Sequence, residues 1–170
     1  MQSVWIAAGL AAAPGLAAAI GAMLPVRHRT ARRACFRASP NALYAVLAGP
    51  PDWRTGVKDY GELADADGRR RWWEEDSHGH KVTYELVGAA PGKRLQTRIA
   101  QPGLPFAGTW TFEIAPLGDG GSELRITEDG EIYNVFFRFL ARFVFGYSGS
   151  IELYLRDLGA KFGQKVEIES

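Results

Sequence analysis

The 170 residues, 46% of them hydrophobic, suffice for one globular domain with a tail and are too few for two. The formal charge of +1 hides an uneven split: residues 1–33 hold four arginines and no acid, leaving 16 basic against 19 acidic groups in the rest. That balance excludes nucleic acid as a partner, since phosphate binding needs clustered Lys and Arg, and the single Cys35 excludes an internal disulfide framework or a cysteine-based zinc site.

Val4 to Val26 carries no charge. Its 23 residues would cross a hydrocarbon core of about 30 Å as a helix, so the segment 1–26 reads as a transmembrane anchor. Arg27, Arg29, Arg32 and Arg33 follow, giving a basic juxtamembrane linker over 27–33. The positive-inside rule then places the remaining domain, 34–170, on the cytoplasmic side of the cell membrane as a single-pass protein. The rival reading is a cleaved signal peptide with a small-residue site at Ala17 to Ala19, but the usual basic start is missing. Gly9, Ala13, Ala17 and Gly21 lie four apart, a spacing that lets helices approach closely.

Arg32 to Ala38 reads as a first strand. Ser39-Pro40 then opens a helix, with Ser39 as N-cap and Pro40 where its missing N–H costs nothing. Leu43, Val46 and Leu47 give it an apolar stripe, and Gly49-Pro50-Pro51 ends it. Strands follow at Val57 to Ala64 and Arg69 to Asp76, separated by turn chemistry at 65–68. Alternation predicts four more. Tyr84 and Leu86 share a face, as do Thr97 and Ile99, then Trp110 and Phe112, then Leu124, Ile126 and Glu128. Short connections favour antiparallel pairing of neighbours.

From Asn134 to Gln164, Phe136, Leu140, Phe143, Tyr147, Ile151, Tyr154, Leu158 and Phe162 recur at helical spacing. One long amphipathic helix is expected there, loosened at Gly146 and Gly149. Val135 to Phe145 is apolar on nearly every side, so it must be buried deeply, dock a partner or touch lipid. The layout is α+β.

The residues Phe36-Arg37-Ala38-Ser39-Pro40, Asp52-Trp53, Gly108-Thr109-Trp110-Thr111-Phe112-Glu113 and Ile126-Thr127-Glu128-Asp129-Gly130-Glu131, followed by the long helix, resemble the START-like (SRPBCC, polyketide cyclase/dehydrase-like) superfamily. The likeness spans about Ala34 to Val166. It implies a helix-grip fold, in which a curved antiparallel sheet of six to seven strands wraps a C-terminal helix around a hydrophobic tunnel. It also implies a lipid or other hydrophobic small molecule as ligand. Some members are cyclases or hydrolases and many only bind, so the layout specifies fold better than function.

The candidate ligand contacts are therefore inward-phase residues. On the sheet side these are Trp53, Trp72, Tyr84, Leu86, Thr97, Ile99, Trp110, Phe112, Ile126 and Glu128. On the helix they are Phe136, Leu140, Phe143, Tyr147 and Ile151. Packing as plain core explains most of them equally well. Glu128 stands out, because a carboxylate in an apolar space has a raised pKa and can orient a polar head or move a proton. The first reading is a membrane-tethered binding or transfer module without catalysis. The alternatives are an enzyme with Glu128 and Tyr84 as acid/base groups, or a docking module for a membrane partner. No cofactor motif is present. His78 and His80, near Asp76, lack a third metal ligand and read as a solvated turn. Cys35 reads as packed on the first strand. Oligomeric state stays open.

Overall fold

The structure is a computed structural model that describes residues 15–170. Seven strands form one antiparallel sheet: β1 (Arg27–Phe36), β2 (Asp59–Ala66), β3 (Arg69–Glu75), β4 (Lys81–Ala90), β5 (Arg94–Ile99), β6 (Phe106–Pro116) and β7 (Ser122–Ile132). Their order is β1-β7-β6-β5-β4-β3-β2. Neighbours in sequence pair throughout, except that β1 joins β7. Register shifts between Leu63 and Ala66 and between Leu86 and Gly88 mark bulges, which bend the sheet. Four helices accompany it: α1 (15–23), α2 (Pro40–Ala48), α3 (Val135–Leu140) and α4 (Gly149–Lys161). The sheet wraps α4, as the helix-grip expectation required.

Helix α2 starts as its sequence dictates. Ser39 caps it, accepting from the Ala42 amide, and Pro40 occupies the first turn. Leu43 and Leu47 are its buried residues. On α4, Ile151, Tyr154, Leu155 and Leu158 follow i, i+3, i+4, i+7 spacing and are buried together. They meet Phe36 of β1, Phe112 and Ile114 of β6, and Leu124 and Ile126 of β7 in one core.

Three expectations are corrected. Among the described residues no helix is long and apolar enough to cross a membrane. This overturns the single-pass, cell-membrane placement and the transmembrane helix. Helix α1 instead lies against α3. Gly21 is buried so close to it that a Cβ would run into the Val135 carbonyl, and Arg138 donates to the Leu24 carbonyl at 2.7 Å. The small-residue spacing thus serves a contact inside the chain at Gly21, while Val4 to Pro14 lie outside the described residues.

Second, residues 27–33 are the first part of β1 rather than a linker. Their arginines sit on the strand and pair with acids: Arg27 with Glu131, Arg29 with Asp129, Arg32 with Glu152, and Arg33 with Glu123 and Glu169. A charge run that read as a juxtamembrane linker is a set of ion pairs joining β1 to β7, α4 and the C-terminal tail. Cys35, on the same strand, is exposed rather than packed.

Third, the long C-terminal helix is two helices. After α3 the backbone widens into one π turn over Ala141–Phe145 and breaks at Gly146, whose φ of 73° lies in the left-handed region. The break leaves Phe136, Phe137, Phe143, Val144 and Phe145 exposed.

Candidate functional site

A cavity of about 240 Å³ lies between the concave face of the sheet and α4. Its aromatic walls are Trp53 in the α2–β2 connection, Tyr60 on β2, Trp72 on β3 with Tyr84 on β4, Phe106, Trp110 and Phe112 on β6, and Tyr154 on α4. Trp72 and Tyr84 stack at 5.8 Å between ring centroids, and Trp53 meets Tyr154 edge-on at 5.1 Å. Such offset and edge-on pairs hold wide aromatic surfaces rigidly.

Of the charged groups in these walls, Glu74 and Glu128 have the least exposed side chains, and each centres one feature. The first is an ion pair: an Arg54 guanidinium nitrogen donates to Glu74 at 2.6 Å, with the Glu74 side chain 10% exposed. Trp72 Nε1 donates to the other Glu74 oxygen at 3.0 Å, and Arg54 lies 5.0 Å over the Tyr154 ring. Burial raises the Tyr84 phenol to about 12, with Glu74 adding to the rise, so the hydroxyl keeps its proton at neutral pH. Tyr154 is raised for the same reason.

The second is Glu128. It shares phase with Leu124 and Ile126 on β7 and is register partner to Trp110. Burial raises its pKa, while Trp110 and Ser150 pull the other way. Ser150 Oγ lies 3.5 Å from it, and His28 Nε2 of β1 is 3.8 Å away. His28 stacks on Tyr147 at 4.3 Å, and burial lowers its pKa, which favours a neutral imidazole near pH 7.

The connection bearing Trp53 and Arg54 is fixed from below. Asp157, buried on α4, accepts from the Thr55 amide at 2.8 Å and from its hydroxyl at 2.9 Å. These bonds join residues 102 positions apart and set where two wall side chains stand. Asp157→Ala is expected to cost about 1.5 kcal/mol, since bonds to a charged acceptor are lost. Chemical denaturation measures that cost, and amide exchange at Thr55 should accelerate.

Of the expected contacts, Trp53, Trp72, Tyr84, Leu86, Thr97 and Ile99 line the cavity, as do Trp110, Phe112 and Glu128. The rest stand elsewhere. Ile126 and Ile151 are closed in the core at 0% exposure. Tyr147 is held by His28, Leu140 is half-buried outside the cavity, and Phe136 and Phe143 face outward. The break at Gly146 is the physical reason: it turns the first helix away from the concave face. Sequence reading missed Arg54, Glu74, Ser150 and Tyr154 as wall residues and His28 beside Glu128. Glu74 carried a signal, being two residues from Trp72 on the same strand face. Among the described residues no cluster of His, Cys, Asp and Glu could hold a metal ion. His80 instead bonds Asp76 at 3.1 Å in an exposed turn.

Comparison with known proteins agrees with this architecture. A START superfamily protein from Mycobacterium smegmatis superposes with a TM-score of 0.64 at 17% identity, over 80% of this chain and 97% of that one. The didomain ARO/CYC StfQ from the steffimycin biosynthetic pathway gives 0.63 at 15% identity, over 79% of this chain and 50% of that one. Truncated norcoclaurine synthase from Thalictrum flavum gives 0.63 at 12%, over 82% and 96%. At these identities the likeness is one of fold. No curated protein matches the sequence significantly. Residues 27–161 match the family described as polyketide cyclase / dehydrase and lipid transport, and the chain belongs to that family.

Proposed function

We propose that the chain binds a compact hydrophobic molecule in the cavity between sheet and α4. One observation carries this reading. Eight aromatic side chains from the α2–β2 connection, β2, β3, β4, β6 and α4 surround a space of about 240 Å³ instead of closing it. Interiors are normally packed without such voids, so an aromatic-walled space this large is the expected form of a ligand site. Membership of a family whose description includes lipid transport, and a fold shared with a START superfamily protein, support the same reading. The volume lies below the range usual for drug-sized ligands, which points to a small occupant. Arg54 and Glu74 are already committed to each other, which suits recognition of shape over recognition of a large polar head.

Native mass spectrometry of the full chain, with extraction of any bound molecule, tests this. A stoichiometric hydrophobic passenger is expected. Trp110→Ala removes one wall and should weaken retention about tenfold, given the 1.5 kcal/mol scale of an aromatic contact. Leu153→Ala, on the exposed side of α4, should leave it unchanged. Equal retention by Trp110→Ala and the unmodified chain would remove the cavity from consideration.

A further inference from the structure

The geometry points to a compact hydrophobic amine as the cavity's ligand, with its ammonium group paired to Glu128. This rests on the cavity reading above and adds the head group.

Around the cavity, charges cancel in pairs with one exception. Arg54 pairs with Glu74, Arg70 with Glu62 and Arg98 with Glu85. Glu128 lines the same space, and no Arg or Lys among the described residues forms an ion pair with it. The groups facing it come from every neighbouring element. His28 on β1 favours the neutral form through burial. Tyr84 on β4 keeps its proton. Trp110 on β6 and Ser150 on α4 are uncharged. Arg32, the nearby arginine of β1, is committed to Glu152 and Ser148.

The site therefore offers one carboxylate without a countercharge, set among indole and phenol faces. Both features favour the same head group. A carboxylate makes its strongest hydrogen bonds to a cationic donor, and aromatic faces attract organic cations. An anionic ligand meets repulsion there. A neutral alcohol gains one weaker bond. The ammonium restores the charge balance that the protein leaves open, and the remaining volume takes little more than one ring and a short chain.

Three probes of one shape separate these chemistries: phenethylamine, phenethyl alcohol and phenylacetate, titrated calorimetrically into the full chain near neutral pH. The amine is expected to bind at least about tenfold tighter than the alcohol, the step between a charge-assisted and an ordinary bond. Phenylacetate should bind weakest. Glu128→Gln should bring amine and alcohol within about threefold, and a circular dichroism spectrum and melting temperature like the parent's report that the variant is folded. Amine affinity of the unmodified chain should rise from acid towards neutral pH as Glu128 ionises, and that rise should vanish in Glu128→Gln. Equal binding of amine and alcohol, or a preference that survives in Glu128→Gln, overturns the amine assignment and leaves the cavity reading standing. Failure of all three probes, together with unchanged passenger retention in Trp110→Ala, overturns both. The probe series on the unmodified chain decides the matter even where Glu128→Gln fails to fold.

Discussion

Arg54→Met is expected to destabilise the fold by about 3 kcal/mol at neutral pH, the cost of stranding a buried carboxylate. Glu74 keeps its bond from Trp72 Nε1 but loses the guanidinium that neutralises it. Its side chain is 10% exposed, so water replaces little of the lost interaction. Urea denaturation at neutral pH measures the gap between variant and parent. Arg54→Met/Glu74→Gln supplies the control. The Gln oxygen still accepts from Trp72, no charge is stranded, and the double variant should lose clearly less than Arg54→Met alone. A double variant as unstable as the sum of its parts would show that the pair contributes no coupling. The outcome bears on function, because Arg54 also stacks on Tyr154 and forms part of the cavity wall.

That pair also shows where sequence reasoning stopped. The strands were legible because a residue's face follows from its phase: Tyr84 with Leu86, Trp110 with Phe112, and Leu124 with Ile126 and Glu128 all share the concave side. Ser39-Pro40 announced α2 because a cap and an N1 proline are local chemistry. The resemblance supplied the wrapping of sheet on helix, which alternation alone leaves open. Long-range events left no local trace. The Asp157–Thr55 bonds span 102 positions, and Arg54–Glu74 joins a connecting loop to a strand. The N-terminal stretch misled for a related reason. Absence of charge predicts burial, and it does not say against what: Gly21 is buried on α3, and the arginines after it are neutralised by β7, α4 and the C-terminal tail. At 134–164, helical spacing continues across Gly146 although the helix does not, since one positive φ redirects the chain without disturbing the pattern.

Leu158→Ala is expected to cost about 3 kcal/mol, within the range for emptying a closed site. Leu158 and Leu155 are 0% exposed, and around them Phe36, Leu43 and Leu124 are equally enclosed. Tyr154, one turn earlier on the same helix face, borders open space. Helix α4 thus has two ends with different duties. Its later turns fill the gap to the sheet completely, and its first turns place Ser150 and Tyr154 on the cavity wall, where Tyr154 meets Trp110 edge-on at 5.6 Å. Both ends show the same i, i+3, i+4 pattern, so periodicity could not tell core from cavity. Paired measurements can. Leu158→Ala should lower stability with little change in ligand retention, while Trp110→Ala should weaken retention, because the half-buried ring borders the cavity as well as packing on Phe112 and Tyr154. Leu153→Ala, 45% exposed, sets the baseline and should stay within about 0.5 kcal/mol of the parent. Similar losses of retention in Leu158→Ala and Trp110→Ala would mean that the two ends are one continuous, yielding interior. The division into a rigid foot and an open mouth would then fail, and with it the view that α4 carries the domain's stability at one end and its specificity at the other.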